Sequence, residues 1–256
     1  MGPLKGLKIL EFSGIGPGPF CGMLLADLGA EVIRLDKSSS HGNHNKADIH
    51  NRNKKSITVD LKNPESIIEV KKLISQMDGI FEGFRPGVME RLGLGPKECL
   101  DLNKSLVYGR MTGWGQEGPM AKQSGHDINY IALSGVLDSM GRKGENPQPP
   151  LNLVGDFGGG GMLLAVGMLS AFIHAQKTGD GQVVDAAMID GSSMLMSMFY
   201  SFKEMGFWNE GKESNLLDGA AHFYDTYECS DNKHIAIGSI EPQFYKELLD
   251  KLDIQD

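Results

Sequence analysis

Cysteine is scarce in this 256-residue chain, which carries only Cys21, Cys99 and Cys229. Three widely spaced cysteines fit neither a disulfide framework nor a thiolate zinc site, and they point to a reducing compartment. Basic residues fall short of acids, 25 against 33, and the resulting formal charge of −8 argues against general nucleic-acid binding. The longest apolar runs are broken by Gly, Ser, His or Lys, and Met1 to Lys5 leads into a strand pattern without an apolar signal core. Neither a membrane span nor secretion is expected. Internal repeats are also missing. What the chain does have is an unbiased composition, 40% hydrophobic, which suffices for a soluble globular protein of one large domain or one and a fraction.

The apolar pattern alternates strand and helix. Leu7 to Phe12 reads as a strand, Pro19 to Leu28 as a helix and Glu31 to Leu35 as a second strand, which makes a β-α-β opening. Ser56 to Leu61 reads as another strand. Asn63 then caps a helix that has Pro64 at its first position and Ile67, Ile68, Val70, Leu73 and Ile74 on its apolar face. Ile80 to Phe84 and Leu106 to Met111 are further strands, separated by short helices around Val88 to Leu92 and Lys97 to Leu102. A doubly wound α/β domain follows from this order. After Trp114, long apolar helices are expected over Asp127 to Met140 and Gly159 to Gln176, joined by a loop with Pro147, Pro149 and Pro150. A brief strand at Val183 to Asp185 precedes a Met-rich helix from about Ala187 to Met205, whose methionines read as packing residues. The expected organisation is a large domain over 1–205, a polar linker over 206–220 and a smaller second domain begun over 221–256. In that second domain Phe223 to Glu228 and His234 to Ile240 pair as strands and Pro242 to Leu252 forms a helix.

Two segments carry candidate chemistry. Gly125-His126-Asp127-Ile128-Asn129-Tyr130 and, about thirty residues on, Gly155-Asp156-Phe157 before the glycines Gly158 to Gly161 set an imidazole and a carboxylate at the starts of two apolar stretches. Such a pair can stand on opposite faces of a carbon acid and exchange protons near neutral pH. The plainer reading is a hydrogen-bonded core histidine and an aspartate helix cap. Between Arg34 and Lys62 stand seven basic residues against three acids, a local surplus that could hold a polyanion or could be a solvated loop. His41, His44 and His50 in the polar segment 38–55 lack the thiolates or clustered carboxylates of a metal site. Gly14-Ile15-Gly16-Pro17-Gly18-Pro19, with Asp36 further on, imitates a dinucleotide fingerprint, but Pro19 occupies the third glycine position and nicotinamide binding is not expected.

The stretches SGHDINYIALSGVL and PPLNLVGDFGGGGMLLAVGML, together with LEFSGIGPGPFCGMLLADLGAEVIRLD, KKSITVDLK, FRPGVMERLGLGP, TGWGQEGP, KTGDGQVVDAAMIDG and GSIEPQFY, run in order along the chain. In these motifs the sequence resembles the α-methylacyl-CoA racemases of the family III CoA-transferase superfamily, the CaiB/BaiF type, and the resemblance covers essentially the whole chain. It implies a Rossmann-like large domain, a small domain and two interlocked subunits. It places His126 and Asp156 as the acid/base pair and Glu241 as the carboxylate that orients the histidine. Lys37, Val59, Asp60, Leu61, Lys62 and residues Gly125, His126, Asp127, Ile128, Asn129 and Tyr130 fall on positions that contact CoA, with Arg85 a further candidate. Position 37 is usually Arg in such relatives, and Lys offers a point charge in place of a planar fork.

The implied reaction inverts the α-carbon of 2-methylacyl-CoA thioesters through an enolate, stabilised by backbone N–H groups at the start of the Asp127 helix. Coenzyme A is then part of the substrate, with no separate cofactor and no metal. The expected partners are the acyl-CoA and a second copy of the chain, not nucleic acid or a membrane. The resemblance puts the protein inside the cell: a peroxisome or mitochondrion if eukaryotic, the cytoplasm if bacterial. A CoA-transferase with Asp156 as nucleophile is the nearest alternative, although transferase members do not carry this histidine at position 126. A silent CoA-binding form is another, because relatives continue beyond the position of Asp256 and the small domain is expected to be incomplete.

Overall fold

The computed structural model describes residues 2–37, 45 and 47–254. Lys46, His41 and His44 of the sequence reading lie outside the described residues. By spatial proximity the chain falls into two compact units, Met1–Ser134 with Leu151–Leu195, and Gly135–Pro150 with Met196–Asp256.

In the first unit, successive apolar residues of one strand face opposite ways and so need cover on both sides. Ile9 and Leu10 of β1 (Lys8–Phe12) are both fully buried, each in a different core. The parallel sheet has the order β3-β2-β1-β4-β5-β6, with β2 (Glu31–Lys37), β3 (Lys54–Val59), β4 (Gly79–Glu82), β5 (Val107–Thr112) and β6 (Val183–Ala187). On one face Ile9, Val32, Phe81 and Val107 pack against Cys21 and Leu25 of α1 (Pro17–Asp27) and Leu164, Met168 and Phe172 of α6 (Leu163–Thr178). On the other, Leu10, Leu35, Ile80 and Tyr108 meet Val70 and Ile74 of α2 (Pro64–Ile74), Met89 of α3 (Val88–Arg91) and Cys99 of α4 (Pro96–Leu102). Asn63 caps α2 as the sequence suggests, its side chain accepting from Glu65 N at 2.9 Å. The chain reverses its direction of sheet growth between β1 and β4, and such switch points open a crevice at the carboxyl ends of the strands.

Three helices differ from the periodicity. α5 is only Asp127–Leu133, since Ser134 ends it and Gly135 turns to φ +81°. The helix expected from Gly159 begins earlier, at Leu153, as a wide π-helical segment Leu153–Met162 that runs directly into α6. Asp156 therefore lies inside a helical turn and is not its cap. The whole run Leu153–Thr178 is long and apolar enough to cross a membrane by composition, yet Leu164, Met168 and Phe172 are spent on the sheet core. The expected Met-rich helix is also divided, α7 (Met188–Leu195) lying in the first unit and α8 (Ser197–Glu204) in the second.

The second unit contains α8, the antiparallel pair β7 (Tyr224–Glu228) and β8 (His234–Gly238), and α9 (Pro242–Leu252). It also recruits 135–150, which the sequence reading assigns to the large domain. The reason is electrostatic: Arg142 makes a forked pair with Asp225 at 2.9 and 2.7 Å and bonds Glu213 at 2.8 Å. Residues expected as a bare linker are organised around buried Asn215, which bonds Asn209 and Asp218.

Candidate active site

The first unit brings His126 and Asp156 to one junction. His126 occupies the N-cap position of α5, its backbone N–H bonded to Asn129 Oδ1 at 3.0 Å, and its ring is exposed. Asp127, buried directly after it, turns inward and accepts the Asp156 N–H at 2.7 Å. Burial raises the Asp127 carboxyl above its ordinary range, the Asp156 and Gly155 N–H groups pulling it back and the Asp156 charge adding to the rise. The other Asp127 oxygen, Oδ1, is buried without a partner. This carboxylate locks the start of α5 to the π turn, adjoining His126 in sequence and holding the backbone N–H of Asp156 itself.

Asp156 itself is half-buried and accepts from Asn152 Nδ2 at 3.1 Å. Gly16, at φ +66°, comes so close beneath it that a Cβ there would stand 2.7 Å from Asp156 Oδ2. The glycine pattern that imitates a dinucleotide loop thus cradles a carboxylate of the same chain. Beside it Phe20 of α1 stacks on Phe157 at 4.8 Å, with the His50 ring edge-on to Phe157 at 5.5 Å. The following glycines serve close helix packing. A Cβ on Gly159 would lie 2.6 Å from Ser192 N, one on Gly160 2.9 Å from Pro17 Cβ, and one on Gly161 2.6 Å from the Phe20 ring.

Tyr130 is buried under Trp114, ring centroids 4.7 Å apart, in a slot that Gly113 and Gly125 leave open. Burial raises its phenol, the charges of Asp156 and Asp127 add to the rise, and Arg85 opposes it. Arg85 therefore stands within electrostatic reach of the junction. Its loop is set by Glu82, which accepts Phe84 N at 2.6 Å and Arg110 Nε at 3.2 Å while Arg110 also bonds Glu90 at 2.8 Å. Burial pushes the Glu82 carboxyl up to about 7.

Lys37, Val59, Asp60, Leu61 and Lys62 all line one cleft at the carboxyl ends of the strands, together with Phe12, Ser13, Leu35, Asp36, Phe84 and Leu92. Its volume is about 440 Å³. Most of the basic surplus noted in the sequence is already neutralised: Arg34 pairs with Asp36, Arg52 with Asp27, Lys54 with Glu11 and Lys55 with Glu31. Among the described residues Lys37 and Lys62 are the lysines that line the cleft, beside Asp60 and the paired Asp36. Ile128 and Asn129 are exposed on α5. Glu241 belongs to the second unit, where it occupies the N-cap position of α9 with an exposed side chain that makes no capping bond.

With that geometry in place, the comparison with known proteins is decisive on kinship. The family model of CoA-transferase family III matches residues 4–256. The chain belongs to this family. Among family III relatives, the alpha-methylacyl-CoA racemase of Mus musculus is 45% identical over 252 residues, a match that covers 98% of this chain and 65% of the mouse protein. The chain thus spans just under two thirds of that relative's length. The succinyl-CoA–D-citramalate CoA-transferase of Chloroflexus aurantiacus is 35% identical, covering 93% and 61% of the two chains. The crystal structure of a CAIB/BAIF family protein from Brucella suis superposes with a TM-score of 0.84 at 26% identity, covering 99% of this chain and 70% of that one.

Sequence reasoning missed Glu11, Phe20 and Glu82 around this region, and it weighed Gly16 and His50 only for nicotinamide and metal binding. Glu11 and Glu82 had a usable signal: each is a carboxylate within an apolar strand, a place where a charge must find a buried partner.

Proposed function

We propose that this protein inverts the α-carbon of 2-methylacyl-CoA thioesters. The observation that carries the reading is the Asp127 link, which ties the backbone of Asp156 to the residue that follows His126 in the first unit. The 45% identity to a racemase of that name supports it. The cleft with Lys37 and Lys62 is proposed to take the phosphates of the CoA moiety, with Arg85, which follows the cleft residue Phe84 in sequence, as a further contact on the CoA side. Neutral His126 then removes the α-proton on one face while protonated Asp156 delivers one on the other, the roles exchanging for the opposite enantiomer. The enolate oxygen is to be met by amide N–H groups at the start of α5. Glu241 is assigned as the carboxylate that orients the imidazole. The reaction needs no separate cofactor. Its working form is proposed to be a homodimer, a reading supported by exposed apolar side chains of the second unit such as Phe207 and Phe244.

The test is incubation in deuterated water with either epimer of a 2-methylacyl-CoA. Solvent deuterium should enter the α-position and the epimers should approach a near-equal mixture. The second reading, favoured by the transferase among the relatives, is acyl transfer through Asp156. Transfer to a free acid without α-exchange, with an acyl adduct on Asp156 trapped by hydroxylamine, would replace the first reading with the second.

A further inference from the structure

Beneath α1 lies an ion pair that the acid/base chemistry does not use. Lys54 of β3 and Glu11 of β1 are almost fully enclosed, their side chains 2% and 0% exposed, and Lys54 Nζ bonds Glu11 Oε2 at 2.6 Å. Gly22 of α1 leaves the room, since a Cβ there would run into both charged groups. A buried pair of this kind is weak evidence of stability, because removing two charges from water costs about as much as their attraction returns. Its geometry suggests a different task. Lys54 Nζ makes a second bond, to the carbonyl oxygen of Pro19 at 2.9 Å, and so ties the first turn of α1 to the sheet. That turn is the part of α1 that grips Asp156. Gly16 lies under the carboxylate, Phe20 stacks on Phe157, and Phe20 N bonds Gly16 O at 3.3 Å.

We propose that Lys54 is a positioning residue: through the Pro19 carbonyl it sets the Gly16–Phe20 turn against Asp156 and so holds that carboxylate in its reactive place. The inference rests on the reading of Asp156 as an acid/base group. Misplacement on the order of 1 Å at such a group costs about a hundredfold in rate, so a tether two steps away has leverage on turnover without touching substrate.

Three variants separate positioning from bulk stability. Lys54→Met removes the tether and leaves Glu11 unpaired; Glu11→Gln keeps the tether; Glu11→Gln with Lys54→Met removes both charges at once. Thermal stability should follow the pair, so both single variants melt lower and the double variant recovers. The kcat for α-proton exchange should follow Lys54, falling about 30-fold in Lys54→Met and in the double variant with KM within about 3-fold, while Glu11→Gln stays within about 3-fold of the parent. Exchange of the Phe20 amide hydrogen, which is bonded to the Gly16 carbonyl, should quicken in the same two variants and not in Glu11→Gln. If kcat and amide exchange instead track melting temperature across all three, the pair is only structural and the proposal is wrong. Should the parent protein show no α-exchange, the racemase reading fails, and the amide exchange pattern still decides whether Lys54 sets the turn.

Discussion

At the scale of single residues, Asp127 shows how a buried acid can serve a neighbour's chemistry. Its carboxylate accepts the Asp156 N–H and sits beside His126 in sequence, so replacing it should disturb both groups together. Asp127→Ala should cost about 1–3 kcal/mol of stability through the unpaired amide and lower α-exchange roughly a hundredfold through misplacement. Asp127→Asn, which keeps one acceptor, should recover part of both, and parallel denaturation and exchange assays will show it. Glu82 offers a pH test. Its folded-state pKa is raised from 4.5 to about 7 by burial, so its contribution to stability is complete below about 4.5 and lost as pH rises through about 7. At about 1.4 kcal/mol per unit, the stability of the parent relative to Glu82→Gln should decline by about 3 kcal/mol across that window. A difference in urea midpoints that is flat or rising with pH would contradict the assignment.

At the scale of elements, the π segment Leu153–Met162 is shaped by what its glycines permit. Gly159 and Gly191 bring their backbones so close that a Cβ on Gly191 would fall 1.8 Å from the Gly159 carbonyl oxygen. Neither backbone can yield, because each belongs to a packed helix, so Gly191→Ala should destabilise the first unit by about 2 kcal/mol or more. Thermal melting measures this directly, and a neutral result would show that α7 can shift. Gly159 and Gly191 let α7 close on the π turn and Gly160 and Gly161 let α1 do so, while Asp156 lies between Gly16 and Asn152.

At the scale of the whole molecule, a few charged side chains link residues 135–150 to the rest of the second unit. Arg142 gathers Asp225, Glu213 and Thr226, and with Lys212 bonding the Glu145 carbonyl it draws 135–150 into the second unit. Arg142→Ala should expose that segment to limited proteolysis while the sheet amides of the first unit keep their protection in hydrogen exchange. Equal cleavage of parent and variant would assign the segment's order to other contacts.

Much of the first unit was legible in the sequence, because a doubly wound sheet advertises itself through short apolar strands, a capping asparagine before proline and alternating helices. His126 and Asp156 stood out as candidates because the motifs that carry them are contiguous, whereas residues 37 and 59–62 came from the resemblance, and the structure sets those five along one cleft. Contiguous patterns record local propensity and burial, and these the sequence by itself determined. The end of α5 at Gly135, the π turn, the burial of Glu11, Lys54 and Glu82, and the pairing of Gly16 with Asp156 came only with the tertiary structure. Each depends on which segments approach one another, and a turn at residue 16 carries no mark of the carboxylate 140 positions away that will rest on it.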